Sequence, residues 1–185
     1  MEVPRQVKGV LFVDYVRMLR GHKGVDWAAL LRPGDMRYLA ERIEPDGWYP
    51  METFERMGNL ILHVVARDMM EAVRMWGRLS VDQLRAAQPM LVAAGDPVET
   101  LNRFRVLRAT YFDFDALEVM MLHDGEAQIA IHYYMGMPAE EAASWQTLGF
   151  FERLLEVAGA TDVRGKFRTR SWMGDDKTVV TLDWR

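Results

Sequence analysis

The sequence predicts an α+β protein, with a helical first half followed by a ββαββ antiparallel sheet unit. Two observations carry this. Apolar residues up to about residue 109 recur at steps of three and four, the helical period. Beyond residue 110 two pairs of aromatic and branched runs flank a single helical stretch, and one pair is joined by Asp124-Gly125, a hairpin signal. Helices and strands segregated along the chain favour an antiparallel sheet.

The elements follow in order. Residues 8–20 carry Val10, Leu11, Tyr15, Met18 and Leu19 at helical spacing, and Gly21 and Gly24 end that segment. A short helix over Trp27 to Leu31 is broken by Pro33-Gly34, and Asp35 suits an N-cap for a helix from Met36 to Ile43. Residues 44–50, EPDGWYP, form a turn. A helix from Met51 to Arg67 has the apolar stripe Phe54, Met57, Ile61, Val64 and Val65. Another begins near Met69. Ser80 with Gln83 matches a capping box and predicts a restart toward Ala94. Asp96-Pro97-Val98-Glu99 is the strongest start signal, opening a helix to about Ala109. Strands are expected over 111–122 and 126–134. Pro138 opens a helix to about Ala158, lined by Trp145, Leu148, Phe151 and Leu155. A second hairpin, Val163 to Trp172 and Thr178 to Trp184, turns at residues 173–176. No repeat or long linker interrupts this order. One domain over residues 1–185 is therefore expected, helical over residues 1–109 and ββαββ over residues 110–185.

Composition narrows the function. A chain of 185 residues can bury a real core. Its net charge of −4 supplies no field that would draw it to nucleic acid. The absence of cysteine removes disulfides, thiolate metal sites and cysteine nucleophiles, and fits a cytoplasmic location. No signal peptide is evident, and no apolar run approaches the ~20 residues of a membrane span. Fourteen methionines suit an adaptable interior. Enzyme signatures such as GxSxG, GxxxxGK[ST] and GxGxxG do not occur. The pairs Asp113/Asp115 and Glu140/Glu141 read as surface charges of a strand and a helix start. No catalytic residue and no enzymatic activity are therefore expected.

The stretch IAIHYYMGM, residues 129–137, and the following SWQTLGFFERLLEVAG, residues 144–159, resemble the haem-NO-binding (H-NOX) fold and its haem-free relatives. The likeness extends to vinyl-reductase-type small-molecule-binding domains. It extends also to an uncharacterised myxobacterial paralogous family, through WYPMETFERM and through Ser171, Trp172, Gly174 and Asp175. The resemblance implies helices followed by ββαββ. H-NOX proteins carry a Y-x-S-x-R signature whose side chains hold the haem propionates, and a histidine on a helix shortly before the sheet. With Tyr133 in the tyrosine place, Met135 and Met137 occupy the serine and arginine places. A thioether cannot replace the arginine fork. No histidine lies between Val98 and Leu122. Haem is therefore not expected, and no other cofactor is.

The four histidines give no metal motif. His63 falls in line with Glu52, Arg56, Asn59 and Arg67 on a polar helix face. His22 sits in a glycine-bounded loop and His123 at a hairpin end. With Asp124-Gly125 as a two-residue turn, His123 pairs with Glu126 and His132 faces Leu117. That register gives both sides of the hairpin apolar residues and sets Glu118 among Ala127, Ile129, Ile131 and Tyr133. The alternation of Arg164, Lys166, Arg168 and Arg170 reads as a solvated row paired with Thr181 and Asp183.

The expectation is a haem-free sensory or regulatory module. It would bind a small apolar ligand between the helical half and the sheet, near Tyr133, Tyr134, Met135, Met137, Trp145 and His132. The alternative is an interaction module that forms a homodimer or docks a signalling protein.

Overall fold

The computed structural model describes residues 4–133 and 139–185. It divides into two compact units: Met1–Met69 with Thr110–Phe114, and Met70–Ala109 with Asp115–Arg185. The division falls inside the predicted helical half, because the helices after residue 69 pack with the sheet.

In the first unit, β1 (Gln6–Lys8) pairs antiparallel with β2 (Trp48–Pro50). Both are strands where the sequence suggests a helix start and a turn. Between them lie α1 (Gly9–Gly21), the single turn α2 (Trp27–Leu30) and α3 (Pro33–Ala40). Proline at the first position opens α3, where it loses no hydrogen bond. Asp35 is therefore not the N-cap. It is buried and receives a two-pronged bond from Arg56, at 2.7 and 2.9 Å, and a third from Thr53 Oγ1 at 2.7 Å. The Arg56 guanidinium holds the Asp35 carboxyl below its usual range. Arg56 and Thr53 belong to α4 (Met51–Leu60), which continues as a π-helical turn over Ile61–Val65. Arg67 and Asp68 then adopt left-handed backbone. The core of this unit is aromatic. Phe12 stacks on Tyr49 at 4.6 Å and meets the edge of Tyr38 at 5.1 Å, while Tyr15 stacks on Phe54 at 4.1 Å.

The second unit opens with α5 (Met70–Ala87). It is continuous through Ser80, whose hydroxyl bonds back to the Gly77 carbonyl at 2.7 Å instead of capping. Then comes α6 (Pro97–Leu107), started as predicted by Asp96, which accepts from the Glu99 amide at 2.8 Å. A sheet of four antiparallel strands has the order β3-β4-β6-β5, with β3 Leu117–His123, β4 Glu126–Ile131, β5 Arg164–Thr169 and β6 Thr178–Asp183. The long α7 (Ala139–Val157) joins β4 to β5.

The turn at Asp124-Gly125 is as predicted, but the register beyond it is not. A bulge at Met120 pairs Val119 with Ile129, Glu118 with Ala130 and Leu117 with Ile131. One extra residue flips every side chain past it. Leu117 and Val119 thereby join Ala127, Ile129 and Ile131 on one face, and Val180 and Leu182 of β6 continue that face. Glu118 moves to the opposite face with Ala130 and His132. The hairpin is thus more nearly one-sided than the regular register implies, and His132 bonds Ala116, not Leu117, through its amide at 2.8 Å.

Candidate functional site

α7 packs on β5 and β6 of the sheet, and α6 packs on β3. Two glycines allow α5 and α7 to meet backbone to backbone. A methyl on Gly77 would overlap the Gln146 carbonyl oxygen and lie 3.0 Å from the Phe150 nitrogen, and one on Gly149 would overlap the Arg74 carbonyl oxygen. Gly165 does the same for β5, giving room to Leu148 and Glu152.

A charged network fastens this contact. Glu152 is almost wholly buried and takes both prongs of Arg74, at 2.6 and 2.9 Å, with the Gly165 amide donating at 3.2 Å. Arg78 lies one turn on and bonds both oxygens of Glu156, at 2.6 and 2.8 Å. The sequence held a signal for this. Glu152 follows Leu148 by four residues along the apolar side of α7, where a carboxylate needs a partner.

The end of β4 and the first half of α7 carry Tyr133, His132 and Trp145, three of the residues expected near a ligand. Tyr133 is buried against α7, and its hydroxyl shares a 2.8 Å bond with Thr147 Oγ1. Burial pushes its phenol up to about 12. The folded protein thus holds this proton more tightly than the unfolded chain, whose tyrosine titrates near ~10. The resulting stability is complete below pH ~10 and is lost as pH rises through about 12. Tyr133→Phe is expected to cost about 1 kcal/mol at neutral pH, by loss of one buried hydrogen bond. It should also flatten this alkaline loss, measured by urea unfolding between neutral and strongly alkaline pH.

Trp145 lies on α7 at the margin of the sheet. Its ring meets Phe167 edge to face at 5.0 Å, and Phe167 meets Trp172 likewise at 5.1 Å. His132 points to the other face of the sheet, where its Nε2 lies 3.2 Å from Glu118. The three residues therefore do not line one surface: Tyr133 is core, Trp145 marginal and His132 opposite. Tyr134, Met135 and Met137 lie outside the described residues.

Sequence reasoning missed the polar cluster beside them. Glu140 is not a surface charge: it is buried in the first turn of α7 and accepts from the Ser171 hydroxyl. Ser171 Oγ also lies 2.7 Å from Thr178 Oγ1, itself fully buried. Ser144, one turn beyond Glu140, is fully buried, and its hydroxyl has no partner among the described residues.

His63 is exposed and its Nδ1 contacts Asp68. His22 and His123 are exposed, and His132 is engaged with Glu118. Among the described residues no group of three or more His, Cys, Asp or Glu could hold a metal ion. Haem iron needs an axial protein ligand, and α6 carries no histidine. The Tyr133 hydroxyl is committed to Thr147 inside the core.

Neither a family model nor a curated protein matches the sequence. Solved structures do match the fold. An H-NOX protein from S. oneidensis in the Fe(II)NO ligation state superposes with a TM-score of 0.65 at 11% identity, over 96% of this chain and 99% of that one. The chain has an H-NOX-like fold. A point mutant of an unliganded Fe(II) H-NOX protein from K. algicida gives 0.63 at 11% identity, over 96% of each chain. A T. tengcongensis H-NOX gives 0.61 at 12% identity, over 96% of this chain and 97% of the other. The H-NOX-like architecture expected from the element order is thus present at an identity where only the fold is shared. No helix among the described residues is long and apolar enough to cross a membrane.

Proposed function

We propose that this chain is a haem-free sensory or regulatory module that uses the H-NOX-like fold to bind a small, largely apolar molecule. The observation that carries the reading is the burial of Tyr133 against Thr147; the sequence resemblance adds that Met135 and Met137 fall in the serine and arginine places of the Y-x-S-x-R signature. Methionine suits adaptable apolar contacts and suits a propionate poorly. The half-buried aromatic group Trp145, Phe167 and Trp172 lies in the same unit and offers contact area for such a molecule.

Native mass spectrometry of freshly purified protein, with a denatured control, tests this. The expected result is a mass excess of a small molecule that is released on denaturation, without Soret absorbance. A haem-sized excess overturns the reading.

A second reading, a homodimer or docking module, is favoured by Met75 and Leu79. They lie one turn apart on the outer side of α5 and are 48% and 55% exposed. A bare mass at the dimer value would select it.

A further inference from the structure

The buried acid at the start of α7 identifies the chemistry of one end of the ligand, and this inference rests on the ligand-binding reading of the chain. Glu140 is 8% exposed, and no Lys, Arg or His among the described residues reaches it. The segment Tyr134–Pro138 contains no basic residue in sequence. Glu140 is met instead by a hydroxyl, that of Ser171, which Thr178 also engages. A carboxylate so enclosed is ordinarily matched by a cation. The first turn of α7 offsets part of that charge. It does nothing for Ser144, which follows Glu140 by four residues on the same helix face, is fully buried, and leaves its hydroxyl oxygen without a partner. A buried polar atom left unbonded costs stability. A carboxylate met by one hydroxyl and no cation, and an orphan hydroxyl oxygen one turn on, leave acceptor capacity unfilled.

A group with several N–H donors and a positive charge completes both. Trp172 directly follows Ser171, and Phe167 touches both Trp172 and Trp145. This aromatic group is thus next in sequence to both polar partners, Trp172 to Ser171 and Trp145 to Ser144.

We infer that Glu140 and Ser144 form the head-group site for a primary organic ammonium whose apolar body lies on Trp172, Phe167 and Trp145. Neither Glu140 nor Ser144 stands out in the sequence as a ligand contact; burial alone marks them.

Calorimetric titration with octylammonium, octanol and octanoate at matched concentrations tests it on the full chain. Octylammonium should bind at least ten times more tightly than octanol, and octanoate should be weakest. Glu140→Gln should remove the preference for octylammonium over octanol. Ser144→Ala should weaken octylammonium several-fold and yet raise Tm, because the free protein loses an unpaired buried hydroxyl. A merely structural serine would instead lower Tm. Equal binding of octanol and octylammonium overturns the ammonium inference and leaves the ligand-binding reading standing. An undiminished preference in Glu140→Gln does the same, provided its folded circular dichroism spectrum is retained. If none of the three probes binds, the ligand-binding reading fails with it.

Discussion

Replacing Gly77 with alanine is expected to destabilise the protein by about 3 kcal/mol or more, the upper end of overpacking costs. Gly149→Ala should do the same. The sign is what makes the measurement decisive. In an isolated helix alanine outranks glycine by about 1 kcal/mol, so helix propensity alone predicts a gain at both positions. The packing of α5 on α7 predicts a loss. The added methyl has no flexible side chain to push aside: it meets the carbonyl oxygen of Gln146 at one site and of Arg74 at the other. Backbone atoms held in helical hydrogen bonds cannot move without separating the helices. Gly34→Ala is the control. It lies in α3 with nothing within 4 Å of the added carbon, and its effect should lie between neutral and a gain of about 0.5 kcal/mol. Urea unfolding followed by far-ultraviolet circular dichroism measures all three. A neutral Gly77→Ala would mean that α5 and α7 do not approach as closely as described.

The second large effect is expected at Glu152. Glu152→Ala removes a nearly buried carboxylate, leaves the Gly165 amide without its acceptor and leaves Arg74 with only the exposed Glu71, at 3.5 Å. Breaking a buried pair from one side costs about 3–5 kcal/mol. Arg74 keeps 29% of its side-chain surface, so water can take up part of its charge, and the lower end, about 3 kcal/mol, is expected. Replacing both partners, Arg74→Met with Glu152→Met, should recover most of the loss, because no buried charge is then left without a partner and the Glu71 carboxylate is exposed. The double-mutant cycle separates the pair's coupling from the packing of the two chains. If Glu152→Ala costs under about 1 kcal/mol, the contact behaves like an exposed ion pair.

Both effects arise where sequence reasoning stops. Gly77 and Gly149 sit in helical stretches, MWGRL and TLGFF, where a glycine reads as a tolerated weakness. That each is a point of contact depends on which helix lies opposite. Glu140 shows the same limit: next to Glu141 in a first turn, it reads as a solvated charge. Its burial follows from where Ser171 and Thr178 of a distant hairpin are placed.

Sequence by itself determined the order of elements, because that order is written in local periods and local chemistry. Asp96 caps α6, Asp124-Gly125 turns β3 into β4, and the helical stripe of Leu148, Phe151 and Leu155 lies buried in α7. His63 sits at the surface, as its place on the polar side of its helix implies. These outcomes need only residues within a few positions of one another. Tertiary structure decided the faces. The bulge at Met120 set which side of the hairpin carries Leu117 and Val119 and which carries Glu118 and His132. No local rule locates a bulge, since the energy that favours it comes from burying one whole row of side chains against elements outside the hairpin, α6 among them.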